Sequence, residues 1–146
     1  MKIAIACDHG ALALKNTVKQ HLLEKGYEVQ DFGTHTLDSC DYPDFVAPAA
    51  KAVAEGVCEK GIVLCSTGIG VSIAANKVNG IRCALLSDLM SAKLTREHND
   101  TNMMAMGAFI VGEALALQIV DTWLTTEFSQ GERHARRVAK IAEMEK

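Results

Sequence analysis

At 146 residues, with 49% apolar and 23% charged side chains, the chain can bury one sizeable core and is not disordered. A net charge of −3 offers no general attraction to nucleic acid or to an anionic membrane, so any anion site must be local. The five cysteines (Cys7, Cys40, Cys58, Cys65 and Cys83) are odd in number and contain no C-x-x-C pair. That argues against a disulfide framework or structural zinc, and for a reducing cytoplasm.

Met1-Lys2 leads into an apolar run that Asp8 ends, too brief for the core of a signal peptide, and no stretch approaches a membrane span. That run, Lys2–Cys7, reads as a buried strand, and Ala11–Lys25 as an amphipathic helix closed by Gly26. Tyr27–Phe32 is a second strand. Tyr42–Glu55 is a helix with Asp41 as its expected N-cap, Pro43 in the first turn and Pro48 as a possible bend. Gly61–Cys65 is a short apolar strand, Ser66–Gly70 a polar turn, and Val71–Lys77 a helix. Strand Ile81–Leu86, helix Asp88–Glu97 and strand Met103–Ile110 follow, then helices near Gly112–Thr125 and Gly131–Glu145. Alternating strands and helices predict a single α/β domain over 1–146. It would be a three-layer sandwich with a mostly parallel five-stranded sheet and helices on both faces. Ligands then bind beyond the carboxyl ends of the strands, where Cys7-Asp8-His9-Gly10 and Cys65-Ser66-Thr67-Gly68-Ile69-Gly70 emerge.

The second of these loops is either a tight strand-to-helix turn or an anion cradle, with small residues exposing N–H groups at a helix N-terminus. It is neither a Walker loop, lacking Gly-Lys-Ser/Thr, nor a good dinucleotide fingerprint, lacking the third glycine. Cys65 is either a small core residue or a thiol activated by the helix N-terminus. Cys7 is a weaker rival without such a loop, and Cys83 reads as core. A cysteine phosphatase needs an arginine closing C-x5-R, and Val71 stands there. Asp8 and His9 are solvated loop polarity or contacts for hydroxyls and phosphate, with Gly10 permitting close approach. Glu97–Asn102 is an Asn-rich helix end or part of a site. The crossover topology places His98 at the opposite sheet edge from Cys65, roughly 17–20 Å away in one subunit. If both serve one site, a second subunit supplies His98. Arg133 and Arg137, four apart, share a helix face as a phosphate clamp requires, while Arg136 points elsewhere.

Taken together these segments resemble the ribose-5-phosphate isomerase type B family, which includes the galactose-6-phosphate isomerase subunits. The markers are Cys7-Asp8-His9-Gly10, Asp41-Tyr42-Pro43, Cys65–Gly70 running into Ser72-Ile73-Ala74-Ala75-Asn76-Lys77, Arg96–Asn102 and the Arg133/Arg137 pair. The resemblance covers essentially the whole chain. It implies a Rossmann-like domain that dimerises, sometimes as a dimer of dimers, with sites shared between subunits and a small sugar phosphate as substrate. It also implies roles: Cys65 as the base moving a proton between carbons 2 and 1, His98 opening the furanose ring, and Thr67 assisting at the ring oxygen. Ser66, Gly68, Ile69, Gly70 and Val71 would line the oxyanion loop with Asn99. Asp8 would hold sugar hydroxyls, and His9, Arg133 and Arg137 the phosphate. No cofactor or metal is required for such chemistry.

Ser66 stands where relatives commonly have glycine, and Phe109 where many have a phosphate-binding arginine. A branch of the family uses a glutamate base at the place of Val71, leaving Cys65 as the base here. The expected reaction interconverts ribose 5-phosphate and ribulose 5-phosphate. The alternatives are a six-carbon isomerase for allose or galactose 6-phosphate, the galactose enzymes needing two different subunits, and a non-catalytic sugar-phosphate sensor. Keeping both Cys65 and His98 argues against the sensor.

Overall fold

Strands and helices alternate along residues 1–146, all of which the computed structural model describes. In chain order they are β1 Lys2–Cys7, α1 Leu12–Glu24, β2 Glu28–Asp31, α2 Pro43–Ala54, β3 Lys60–Cys65, α3 Ile69–Asn76, β4 Cys83–Leu85, α4 Leu89–Asn99, β5 Met103–Gly107, α5 Glu113–Thr125 and α6 Glu132–Glu143. A single 3-10 turn, His9–Ala11, joins β1 to α1. The sheet order is β2-β1-β3-β5-β4, and every neighbouring pair is parallel. No helix is long and apolar enough to cross a membrane.

The side-chain period of two sorts each central strand between two cores. Ile3, Ile5, Ile62, Leu64, Met104 and Met106 face a cluster completed by α1, α4 and α5, with Trp123 at its base. Ala4, Ala6, Val63, Cys65 and Ala105 face the other cluster, completed by Val46, Ala49 and Ala50 of α2 and Val71 and Ala75 of α3. Small residues on both sides of this second layer let α2 and α3 lie close to the sheet. Cys65 therefore ends β3 on the tightly packed side, directly under the start of α3.

Four boundaries depart from expectation. Asp41 does not cap α2 with its side chain; its carbonyl accepts from Asp44 N–H at 3.1 Å, and Tyr42 holds the cap position before Pro43. The third helix starts at Ile69, not Val71, because Gly68 adopts φ +78° and turns the chain at once. The fifth strand stops at Gly107 rather than Ile110, since the amides of Ala108 and Phe109 turn back onto the carbonyls of Cys65 and Ser66 at 2.8 and 2.9 Å. The fourth strand shrinks to Cys83–Leu85 at the sheet edge.

Candidate active site

With β2 on one side of β1 and every later strand on the other side of β3, the strand order reverses between β1 and β3. In such sheets ligands bind beyond the carboxyl ends of the strands at that point. Both loops singled out in the sequence border it. Asp8 N–H donates to Leu64 O at 3.1 Å. A Cβ on Gly10 would meet Ser66 Oγ, so the two loops touch and a side chain there would displace the serine hydroxyl.

Cys65 is 5% exposed, yet its sulfur is not simply packed in hydrocarbon: Gly68 N–H donates to Sγ at 3.0 Å. Glycine is required at 68 twice over, by its positive φ and because a Cβ would lie 2.6 Å from Leu85 Cδ1 and 2.7 Å from the Met106 carbonyl carbon. Thr67 is exposed and its Oγ1 accepts from Ile69 N–H at 3.2 Å, capping the first turn of α3. Gly70 and Val71 amides, also in that turn, have no partner within the chain. Val71 contributes only backbone to this edge, because its side chain is fully buried. Two of the other thiols are raised. Burial above all pushes Cys7 up to about 12, against the opposing pull of Lys15, and burial pushes Cys83 up to about 12. Neither is poised to ionise near neutrality.

The Asp8 side chain is nearly buried, and its Oδ1 accepts from Gly10 N–H at 2.9 Å. His9 Nδ1 accepts from Cys40 N–H at 3.3 Å, which places the ring's proton on Nε2 when neutral. Sequence reasoning gave Cys40 no part in this. Tyr42, one of the recognised markers but without an assigned role, stands against the start of α3: a Cβ on Gly70 would lie 2.6 Å from Tyr42 Cζ. The loop carrying both residues is anchored by a second unforeseen feature. Lys15, fully buried on α1, donates to Asp31 Oδ1 at 2.9 Å and to Thr34 O at 2.6 Å. Its signal in the sequence was a lysine on the same helix face as Val18 and Leu22.

His98 and Asn99 sit at the carboxyl end of α4, which precedes the amino end of β5. Met103 pairs with Gly61, whereas Gly107 pairs with Cys65. His98 and Cys65 thus occupy opposite edges of the sheet, and no cavity holds both. His98 and Asn99 instead line a groove with Leu85, Leu86 and Leu94. Arg133 and Arg137 are exposed on α6 without acidic partners. Arg136, expected to point elsewhere, lines the same surface groove as Arg133 and His134; residues three apart on a helix are as close as residues four apart. His134 was missed altogether. Its ring stacks on His98 with centroids 4.2 Å apart and planes 7° from parallel. A histidine among arginines was its only sequence signal.

The arrangement offers a sulfur met by an amide, a helix N-terminus with free donors, and a separate pair of imidazoles beside cationic side chains. It is suited to moving protons next to an anionic ligand. The model of the family described as Ribose/Galactose Isomerase matches residues 3–141. The chain is 47% identical over 144 residues to ribose-5-phosphate isomerase B of Escherichia coli, covering 99% of this chain and 96% of that one. The solved ribose-5-phosphate isomerase B of Clostridium thermocellum superposes with a TM-score of 0.97 at 55% identity, over 99% of this chain and 97% of that one. The Mycoplasma genitalium ribose-5-phosphate isomerase B, solved with bound ribulose-5-phosphate, gives 0.94 at 38% identity over 99% and 95% of the two chains. By fold, by the matched length and by these likenesses, the chain belongs to the ribose/galactose isomerase family.

Proposed function

We propose that this chain interconverts D-ribose 5-phosphate and D-ribulose 5-phosphate, with Cys65 carrying the proton. The observation that carries the reading is the Gly68 amide directed at Cys65 Sγ, 3.0 Å away, at a helix start whose next donors are free. The substrate class follows from the relatives, among them the Mycoplasma enzyme solved with ribulose-5-phosphate.

His98 first moves a proton from the anomeric hydroxyl to the ring oxygen, with Thr67 assisting, and the C1–O4 bond breaks. The Cys65 thiolate then takes the proton from C2. The C–H electron pair becomes the C1–C2 double bond, and the C1 carbonyl becomes an oxyanion held by the Ser66–Val71 amides and Asn99. Transfer of the O2 proton to O1 and return of the carbon-bound proton from sulfur to C1 completes the ketose. Asp8 holds sugar hydroxyls; His9, Arg133 and Arg137 meet the phosphate. Proton transfer of this kind requires no metal or cofactor, and the thiol it uses suits a reducing cytoplasm.

The enzyme works as a homodimer in which His98 of one subunit completes the site around Cys65 of the other. Two features support this. The two residues lie at opposite sheet edges, and the rim around the glycine turn exposes Phe109 (77%), Ile110 (62%) and Ile69 (51%), more apolar surface than a solvated catalytic edge needs.

Purified protein followed by NMR against five- and six-carbon sugars, with and without phosphate, tests the reaction. Ribulose 5-phosphate must form from ribose 5-phosphate faster than any six-carbon product forms. Co-refolding inactive Cys65→Ala and His98→Asn subunits tests the sharing. Mixed dimers would regain one intact site, about a quarter of the normal activity overall, whereas sites built within one subunit would regain none.

A further inference from the structure

Residues 126–131 are tied to the end of α4 from both sides. Buried Arg96 donates through Nε to Thr126 O at 3.1 Å, while its Nη1 donates to Asp100 Oδ1 at 2.9 Å and Thr101 O at 2.6 Å. The next carbonyl, Glu97 O, accepts from both Ser129 N–H at 3.2 Å and Ser129 Oγ–H at 2.6 Å. These bonds fix where α6 begins, and its third residue, His134, is delivered flat onto His98. Neither imidazole has a hydrogen-bond partner within the chain, so no hydrogen bond in the subunit sets the orientation of the His98 ring.

We infer that His134 is a positioning residue for the isomerisation: its ring is the platform that holds the His98 imidazole in the orientation required for ring opening. The inference rests on the reading of His98 given above. A flat stack blocks rotation of His98 about its last side-chain torsion while leaving both of its ring nitrogens free at the edge for proton transfer. An arginine in that place would stack as well, but would add a permanent charge against a ring that must itself gain and lose a proton. Desolvation, and then the positive charges of His98, Arg133 and Arg137, hold His134 below the usual histidine range.

The experiment compares His134→Ala and His134→Phe, with His98→Asn as control. In proton NMR the His98 ring signals of the wild type carry a ring-current displacement. It should persist in His134→Phe and vanish in His134→Ala. With ribose 5-phosphate, His134→Ala should lose about tenfold in kcat with KM little changed, and His134→Phe should recover to within about threefold of wild type. Absence of the ring-current displacement in the wild type overturns the inference, as does an undiminished kcat in His134→Ala beside an inactive His98→Asn. A fully active His98→Asn instead removes the role of His98 itself, so failure of the platform and failure of the underlying reading are told apart.

Discussion

Gly107→Ala tests how tightly the glycine turn is held. Gly107 ends β5 beside Cys65, and a Cβ there would lie 2.5 Å from the carbonyl carbon of Thr67, 2.6 Å from its oxygen and 2.7 Å from its Cα. Ordinary contact begins at 3.4 Å, so the Thr67 backbone must retreat by 3.4 − 2.5 = 0.9 Å. It cannot do so alone, because Ala108 and Phe109 bond back to the carbonyls of Cys65 and Ser66 and lock the two loops together. Forcing a methyl into such packing costs about 1–3 kcal/mol of stability. The larger effect falls on rate: a reacting group misplaced by about 1 Å loses on the order of a hundredfold. Urea melts and initial rates with ribose 5-phosphate, measured on the same preparations, give both quantities. Gly112→Ser is the packing control, since nothing lies within 4 Å of a Cβ at that position. A Gly107→Ala enzyme that melts normally and turns over at the wild-type rate would refute the claim that the turn is rigidly placed.

Lys15→Met should destabilise the fold by about 1–3 kcal/mol in urea, because it leaves Asp31 to Lys19 and the Gly33 amide alone and removes the buried donor to Thr34 O. Asp31 is opposed by its burial, but hydrogen bonds from Lys15, Gly33 and Lys19 bring its carboxyl below the ordinary 3.8. The unfolded chain thus binds that proton first. This stability is complete above about pH 4 and is lost as acid takes Asp31 through its folded value, a loss that acid melts should find reduced in Lys15→Met. In alkylation at pH 8 followed by peptide mass mapping, Cys7 should stay unmodified in the folded protein, since it is fully buried and a thiol raised to about 12 holds only on the order of 0.01% thiolate there. Rapid labelling of Cys7 would contradict the buried environment described. Dialysis against EDTA should leave isomerase activity unchanged, and a loss restored by a divalent ion would overturn the proton-carrier mechanism.

Much of this was legible because apolar alternation and glycine punctuation report local structure. β1 and β3 were bounded to within a residue, and the loops at their ends adjoin at the carboxyl edge of the sheet, as expected. What failed did so where long-range packing decides. Phe109 and Ile110 extend an apolar run, and such a run reads as strand; in the fold they are exposed and follow a turn imposed by Gly107 against Thr67. Asp41 looked like a cap, yet the chain is already helical at Tyr42, which takes the cap position one residue later. The insertion of β5 between β3 and β4 leaves no trace in local pattern. His134 on His98 and Cys40 on His9 join residues 36 and 31 positions apart, contacts that only the folded chain creates. The opposite placement of His98 and Cys65 was different: a crossover helix between parallel strands leaves the carboxyl edge and must return to the other.

The most direct measurement is isomerisation and binding in Cys65→Ala, with ribose 5-phosphate binding followed by calorimetry and turnover by NMR in deuterated water. The account predicts turnover reduced by about a thousandfold or more, no exchange of the carbon-bound proton, and affinity within about threefold of wild type. Undiminished turnover with the sulfur gone would contradict it.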